Sequence, residues 1–429
     1  MKNLNLKKNI KMMKWANDLF PLCRSLTGKG NEQTFKYIKE NSNKKFKIKY
    51  AKSNTKVFDW KIPLQWEIKD AYIKLPNGNK ICEFKKNNLH LVGYSVPKKS
   101  KYTFSEIKKK IFYLKKQPDA IPYVTSYYKK DWGFCMSYNQ FKKLPKDSMY
   151  DVVIESKIFK GKMGYMELLI PGKTKKEILL TSYTCHPSMA NNELSGPLVI
   201  MALSKILKKS YYSIRLLLIP ETIGAINYIK RNLKNLNKNL IAGFNLTCVG
   251  DSGPISWIRS KDGVTYSDKI ADRIFKKIDH RSLSFLHRGS NERQFGCQNL
   301  KLPFITITRN VFGNYKQYHT SLDNLSYISE KNLQYSLRII IKIINEIQNN
   351  RIFIKKNKCE VFLTKYNLIN TLSFVYKKQK NLTRHISNIM AFCDKNFDTT
   401  ELKKLCRLST KKLKSILTVL LKKKLIKSL

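Results

Sequence analysis

The pattern of apolar and polar positions changes twice along the chain. From residue 150 to residue 350, apolar runs typical of buried strands alternate with segments whose apolar residues recur every three or four positions, as in amphipathic helices. The pattern predicts strands at 152–155, 166–170, 178–183, 214–219, 241–249 and 304–308, and helices at about 196–208, 222–233, 266–278 and 329–349. Such alternation is typical of an α/β core, in which helices cover both faces of a sheet.

In residues 46 to 149 the apolar residues form short strand-like runs separated by turns. This pattern predicts a small β-rich domain inserted into a core formed by 1–45 and 150–350. Helices are expected at 3–20 and 34–41, short strands at 46–50, 70–74, 80–84 and 91–96, and one helix near 103–113. Two segments of this domain, 117–128 and 132–137, are dense in aromatic residues. Their aromatic rings are equally compatible with a substrate cleft and with the core of the small domain.

The last segment, residues 351–429, is expected to form a separate domain. It holds 20 Lys and Arg against 4 Asp and Glu, and 399–426 reads as two short helices joined by a Leu-Ser turn, followed by a basic strand-like tail. This pattern predicts a helix-turn-helix within a winged-helix domain. DNA binding and a structural or homodimer-forming role both fit, and the second is favoured because no clear set of base-reading Arg, Asn or Gln side chains is present.

The composition adds few functional constraints. The 429 residues carry a formal charge of +53, but the lysines are spread along the whole chain with many Asn and Ile, which is typical of an AT-rich genome. The nine cysteines contain no Cys-x-x-Cys pair, so neither a disulfide framework nor a clustered zinc-thiolate site is indicated. Without a signal-peptide pattern or an 18-residue apolar run, we expect a cytoplasmic protein with no membrane span.

Three residues at the ends of apolar runs are candidates for metal chemistry. His186 follows the strand predicted at 178–183, and His319 follows the strand-rich stretch near 304–312. Neutral imidazoles are good zinc ligands, and Asp323, close to His319, suits the orienting role of a carboxylate behind a ligand. Glu221 ends a continuous apolar run, where burial would raise its pKa and suit it to act as a general base. The alternative is that Glu221 only caps the helix that follows it.

Several motifs together resemble a known family. The order of strand, His186, the turn 191–196, strand, Glu221 and the segment 318–323 is similar to that of zinc aminopeptidases of the di-zinc exopeptidase superfamily. The chain resembles still more closely a bacterial group of aminopeptidase-like proteins that have an inserted β domain and a C-terminal winged helix and are often encoded in polysaccharide biosynthesis clusters. The motifs that carry this closer resemblance are 22–28, 57–60, 119–128, 185–188, 220–224 and 288–290.

The resemblance implies a site that departs from the di-zinc pattern. Asn192 stands where the aminopeptidases have an Asp that bridges two zinc ions, and a neutral amide oxygen does not bridge two cations well. Thr222 matches a glutamate ligand of the second metal, and Thr247 matches an aspartate ligand. Asn291 stands where the closer group has Asp. A single zinc ion is therefore expected.

The expected zinc ligands are His186, His319 and a third residue, with Asn192 preferred. Glu193 and Asp251 are the other candidates for the third position, and Glu292 and Asp323 are expected as auxiliary ligands or as residues behind the ligands.

The resemblance implies a metallopeptidase-like hydrolase that cleaves a peptide or amide bond of a small substrate, with Glu221 as the catalytic residue. Two alternatives to a hydrolase remain compatible with the same residues. The first is a catalytically inactive binding or scaffold protein that retains the peptidase cleft, and the second is a DNA-binding regulator that acts through the winged helix.

Overall fold

A computed structural model of the chain describes residues 10–43, 45–297, 299–368 and 377–429. The contacts divide it into two compact units, one extending to Lys342 and the other running from Ile343 to Leu429. Within the described ranges, no helix combines the length and the apolar character that a membrane span requires.

The larger unit contains most of the strands and helices. Its strands are β1 (Lys47–Lys52), β2 (Lys56–Val57), β3 (Trp60–Lys61), β4 (Gln65–Lys74), β5 (Lys80–Ile81), β6 (Lys98–Thr103), β7 (Ile111–Phe112), β8 (Phe134–Cys135), β9 (Met149–Phe159), β10 (Lys162–Ile170), β11 (Thr174–Tyr183), β12 (Tyr212–Ile219), β13 (Leu240–Leu246), β14 (Ile255–Ile258), β15 (His280–Leu283) and β16 (Phe304–Thr308). Its helices are α1 (Met12–Leu19), α2 (Lys29–Asn41), α3 (Phe104–Ile107), α4 (Tyr138–Lys142), α5 (Ser195–Ile206), α6 (Ile223–Asn239), α7 (Tyr266–Phe275), α8 (Glu292–Phe295) and α9 (Glu330–Asn349), the last of which ends in the smaller unit.

A mixed eight-stranded sheet, counted over the described residues, forms the centre of this unit in the order β1-β10-β12-β11-β13-β16-β14-β15. Strand β11 lies between β12 and β13 and is parallel to both, whereas β10 runs antiparallel to β12. The continuous apolar runs of β11 and β12 leave these strands buried on both faces, as is usual for parallel strands covered by helices. The mixed α/β architecture expected from the sequence is confirmed.

Sheet membership differs from the expectation at two strands. The strand predicted at 46–50 as the start of the inserted domain is β1, which pairs with β10 in the large sheet. The strand predicted at 152–155 as part of the core is β9, which pairs with β4 and β6 in a separate four-stranded sheet, β5-β4-β9-β6. An apolar pattern predicts that a segment is a strand but does not identify its partner, which explains both differences.

Other local predictions were partly wrong. Residues 91–96 form only isolated bridges at Leu91 and Gly93, and the helix expected over 103–113 stops at Ile107 and continues as a 3₁₀ turn to Lys110. Strands β14 and β15 have no counterpart among the predicted elements. Residues 3–9 of the predicted first helix lie outside the described residues, and the remainder contains α1.

The smaller unit contains α10 (Lys377–Phe392), α11 (Thr399–Leu405), α12 (Thr410–Lys422), β17 (Phe353–Lys355) and β18 (Ile426–Ser428). The two strands pair antiparallel. Asp398 caps α11 in a reciprocal capping box with Glu401, and the helices enclose a separate apolar core that includes Ile389 and Leu420. The two short helices and the strand-like tail expected over 399–426 are present.

Candidate active site

The polar turn after β11 is fixed from both ends. The turn leads into a π-helical segment, Ala190–Leu194, and then into α5. The carboxylate of Asp323 accepts hydrogen bonds from the backbone amides of Asn191 and Asn192, at 2.6 and 2.9 Å. At Gly196, a Cβ atom would lie 2.2 Å from the Ser182 hydroxyl oxygen, so the first turn of α5 can approach the sheet this closely only with glycine.

The structure brings His186 and His319 together from distant parts of the chain. Their ring centroids lie 5.3 Å apart, and the ring of Tyr123 lies 5.2 Å from each. His319 has a left-handed backbone, with φ of 55°, and its carbonyl accepts a hydrogen bond from the Tyr123 amide. The chain is thus held so that two imidazoles share one buried space.

His319 offers a nitrogen atom that could serve as a metal ligand. Its Nε2 atom is buried and has no hydrogen-bond partner among the described residues. Burial, and to a smaller extent the nearby His186, lowers the pKa of His319 to about 3, so its imidazole is neutral at neutral pH. A neutral imidazole is the form that binds zinc.

His186 lies among acidic groups. Its Nδ1 atom is 3.5 Å from the Cys185 sulfur and 3.4 Å from a carboxylate oxygen of Glu193, and its backbone amide donates to the same carboxylate. Burial alone would lower the pKa of His186, but Cys185, Glu193 and Glu221 together raise it well above its ordinary value. Metal binding at this imidazole would therefore displace a proton.

Glu193 is already neutralised by an arginine. Its carboxylate lies 2.6 Å from Nε of Arg24, and both side chains are fully buried. Within the described part of the chain, possible ligand atoms of Cys185, His186 and Glu193 lie within 4.8 Å of one another. Because Arg24 offsets the charge of Glu193, this carboxylate is a weaker candidate for a cation than its position alone indicates.

Asn192 belongs to a network of hydroxyl groups. The Tyr183 hydroxyl lies 2.6 Å from the Asn192 carbonyl oxygen, 3.2 Å from its side-chain oxygen and 2.6 Å from the Thr247 hydroxyl. The Cys248 thiol is a second donor to the side-chain oxygen, at 4.0 Å. Asn192 is therefore a neutral oxygen group that already accepts hydrogen bonds, and Thr247 supports the network that holds it.

The remaining acidic candidates hold loops in place. Asp251 accepts hydrogen bonds from the Asn191 side chain at 2.7 Å and from Asn310. Glu292 accepts from the backbone amides of residues 289 and 290 and from the Thr306 hydroxyl. Together with Asp323, which accepts hydrogen bonds from the turn, these carboxylates hold the loops around the candidate site in position.

Glu221 lies beside a cavity of about 520 Å³ that Cys185 and Arg293 also line. Burial raises the pKa of Glu221, whereas His186, a hydrogen bond from Ser290 and the charge of Arg293 oppose the rise. The cap of α6 is Thr222, at φ of 61°, so the interpretation of Glu221 as a simple helix cap does not hold. The Thr222 amide donates to the side-chain oxygen of Asn291, which gives this asparagine a structural contact.

These residues fit one zinc ion but not two. His186 and His319 offer two imidazoles in one space, and the unpartnered Nε2 of His319 leaves a donor available. By the resemblance, a second cation would need bridging and terminal carboxylates at positions 192, 222 and 247, where this chain has Asn, Thr and Thr. The nearby carboxylates are engaged with Arg24, with backbone amides or with side-chain donors.

Three contributors escaped prediction from the sequence. The sequence predicts Tyr183 only as the end of an apolar strand, although an aromatic hydroxyl at a strand end is a signal for a buried polar network. In the sequence, Arg24 and Cys185 stand out only as members of the family motifs 22–28 and 185–188. The Cys185-His186 dipeptide was the available signal for a mixed cluster, whereas no local pattern indicates the pairing of Arg24.

The large mixed sheet gives the chain the fold of the zinc aminopeptidases. A zinc aminopeptidase from Bacillus subtilis superposes with a TM-score of 0.57 at 15% identity, covering 80% of this chain and 96% of that one. Residues 13–350 match the family described as a domain of unknown function, DUF4910, and the chain belongs to that family. The zinc aminopeptidase-like resemblance seen in the sequence is confirmed.

Two similarities to Clostridium acetobutylicum proteins are closer. One protein, provisionally named a polysaccharide biosynthesis protein with an aminopeptidase-like domain, is 42% identical over 356 residues, or 81% of this chain and 80% of its own length. A crystal structure of a provisionally assigned peptidase has a TM-score of 0.79 at 36% identity and covers 97% of this chain and 96% of that chain.

Proposed function

We propose that the chain is a peptidase-like hydrolase that cleaves a peptide or amide bond with one zinc ion held by His186 and His319. Asn192 is the preferred third ligand, since its oxygen is neutral and lies in the same turn as His186. The observation that carries the proposal is the buried, unpartnered Nε2 of His319 beside the His186 ring. A buried polar atom without a partner is costly unless a ligand satisfies it.

The chain's own residues supply proton transfer and orientation. Zinc, when bound, would polarise the scissile carbonyl and lower the pKa of water. Glu221 would accept the proton of the attacking water and pass it to the leaving amine, since it lies half-buried at the cavity with a raised pKa. Asp323 and Tyr183 hold the turn that carries Asn192, so the ligand geometry is set before substrate binds.

The names of the relatives support hydrolysis of a peptide or amide bond but do not specify the substrate. The Bacillus subtilis protein is a zinc aminopeptidase, and the 42% identical relative is named for polysaccharide biosynthesis as well as for its aminopeptidase-like domain. We therefore propose that the substrate is a small molecule with a peptide or amide bond, and that the protein acts in polysaccharide biosynthesis.

The first test combines elemental analysis with two substitutions. We expect about one zinc per chain in the wild type and loss of zinc in His319→Gln. Glu221→Gln should keep the zinc but lower the hydrolysis rate by at least about 100-fold, because the proton acceptor is lost. The matched control is Glu83→Gln, which removes a surface carboxylate paired with Lys86. A metal-free wild type without activity on amide libraries would refute the proposal.

A binding protein that retains the cleft is the second candidate. It is favoured by the pairing of Glu193 with Arg24 and by the amide at Asn192, which leave the site poor in free carboxylates. Asn192→Asp discriminates between the two candidates. If zinc binding and hydrolysis appear only in this variant, the natural protein is a degraded enzyme.

We also propose the domain organisation expected from the sequence, with an aminopeptidase-like core, an inserted β-rich domain and a C-terminal winged helix. The separate four-stranded sheet supports the insert, although β1 belongs to the large sheet. Three helices and the β17–β18 ribbon support the winged helix. For the winged-helix domain we propose the homodimer-forming role favoured by the sequence. Size-exclusion chromatography with light scattering on the full chain measures whether it is a dimer.

A further inference from the structure

The cavity beside Glu221 has an unusual charge balance for a site that takes a free amino terminus. The charged residues that line it, within the described part of the chain, are Lys129, Glu221 and Arg293. The carboxylate of Glu193 is taken by Arg24, and that of Asp323 by backbone amides. A substrate ammonium group would thus meet two cations and a carboxylate that the proposed reaction needs for proton transfer.

Arg293 presents a fixed guanidinium to this cavity. Its Nε donates to the Ser290 carbonyl at 3.2 Å, and its Nη2 donates to the Thr222 hydroxyl at 2.9 Å. Its Nη1 has no hydrogen-bond partner in the described ranges, and no described carboxylate lies within ion-pair distance. The Arg293 side chain is exposed. The preceding residue, Glu292, is held in place because its buried carboxylate accepts hydrogen bonds from the backbone amides of residues 289 and 290.

The other cation of the lining has a carboxylate neighbour. The ammonium group of Lys129 lies 3.3 Å from the carboxylate of Asp131, which it shares with Lys110. Arg293 is therefore the cation of the described cavity lining that has a planar donor available and no carboxylate within ion-pair distance, although its charge acts on Glu221. A guanidinium in this state favours a carboxylate, which it can bind through two parallel hydrogen bonds.

Two aromatic rings face the same cavity. Trp60 and Tyr128 are 38% and 52% exposed although both are large, and their ring centroids lie 6.2 Å apart in an edge-to-face arrangement. The Tyr128 hydroxyl donates to the Lys61 carbonyl, which fixes that ring. Exposed, oriented rings at a cavity provide a flat apolar surface for a ring of the ligand.

We propose that Arg293, Trp60 and Tyr128 form a subsite for a ring that carries a carboxylate. The substrate is then an anionic N-acyl compound rather than a peptide with a free amino terminus. This inference rests on the proposed hydrolase function and specifies its substrate class.

Calorimetric binding to the Glu221→Gln chain tests the subsite without turnover. The probes are N-acetylmuramic acid, which has a ring, an acetamide and a carboxylate, N-acetylglucosamine, which lacks the carboxylate, and leucine amide, which carries an ammonium group. N-acetylmuramic acid should bind most tightly. Adding Arg293→Gln should weaken its binding about tenfold, to the level of N-acetylglucosamine, since a charge-assisted pair is lost. Trp60→Ala should weaken both sugars.

Lys129→Gln is the matched control, because it removes the same charge from the same cavity but from a residue already paired with Asp131. It should change the affinity less than about twofold. Arg293→Lys, which keeps the charge without the planar fork, should give an intermediate affinity, and circular dichroism checks the fold of each variant.

The subsite is refuted if Arg293→Gln leaves the affinity for N-acetylmuramic acid unchanged, or if Lys129→Gln lowers it equally. It is also refuted if N-acetylglucosamine or leucine amide binds as tightly, or if N-acetylmuramic acid does not bind at millimolar concentration. All these readouts are binding constants. Loss of zinc or of hydrolysis elsewhere therefore contradicts the proposed function without deciding the subsite.

Discussion

At the scale of single residues, the candidate site is organised by the ion pair of Arg24 and Glu193. Both side chains are fully buried, and the Glu193 carboxylate also accepts the backbone amide of His186. The pair therefore fixes the position of a proposed zinc ligand without using the carboxylate as a ligand itself. Removing one partner would leave the other charged and desolvated.

Arg24→Met should lower the free energy of unfolding by about 3–5 kcal/mol, because it leaves the Glu193 carboxylate buried without a counter-charge. The double variant Arg24→Met/Glu193→Gln should recover at least half of this loss, since the glutamine oxygen still accepts the His186 amide. Urea denaturation at neutral pH measures both. A loss of less than about 1 kcal/mol in the single variant, as for an exposed pair, would contradict this assignment.

The sequence carried a local signal for two of the candidate residues. His186 and Glu221 come just after the apolar runs that form β11 and β12, so their position beyond strand ends could be read directly, whereas His319 lies in a turn well beyond the end of β16 at Thr308. The pairing of Arg24 with Glu193 joins residues separated by 169 positions, and no local pattern carries it. The same limit applies to the Tyr183 hydroxyl, whose partners Asn192 and Thr247 are defined only by the fold.

At the scale of elements, the long buried strands and the amphipathic helices were predictable, and the short strands were not. Strands β14 and β15 have four residues each, too few to show a period. The sheet to which β1 and β9 belong depends on pairing between distant segments, which the alternation of apolar residues does not encode. The expected layered architecture was therefore correct, while strand assignments at the junction of the two sheets were not.

Asp131 stabilises the segment between β7 and β8 in a pH-dependent way. The Lys110 ammonium, 2.5 Å away, and the Trp132 amide lower the pKa of Asp131 to about 2. Because the folded pKa lies below the unfolded value of 3.8, the contribution is present above pH 3.8 and is lost as the pH falls through 2.

Asp131→Asn should thus lower the free energy of unfolding by about 1 kcal/mol at pH 7, after allowance for the partial exposure of the pair, and by almost nothing at pH 2. Urea titrations across this range measure the difference. Asp147→Asn, at an exposed residue, is the control. If Asp131→Asn lowers the free energy of unfolding equally at both pH values, the ion pair does not contribute to stability.

At the scale of the whole molecule, the charge of +53 is the dominant property. It is distributed along both units, with 20 basic and 4 acidic residues in 351–429. Such a charge attracts polyanions through counterion release, without reading their sequence. The alternative of a DNA-binding regulator requires a sequence preference in addition to this attraction.

We expect the full chain to bind unrelated DNA duplexes with equal affinity, and the affinity to fall at least about tenfold between low and physiological salt. Fluorescence anisotropy with two duplexes of different sequence at several salt concentrations measures both properties. Heparin should compete as effectively as DNA. A marked preference for one duplex that persists at physiological salt would instead support the regulator.

The span of the Arg24–Glu193 contact also determines when the site can form during synthesis. Arg24 leaves the ribosome early, Glu193 follows 169 residues later, and His319 is added only after a further 126 residues, the difference between positions 319 and 193. A chain interrupted between these points would carry an unmatched charge or an incomplete pocket. Such a fragment exposes surfaces that chaperones and proteases recognise.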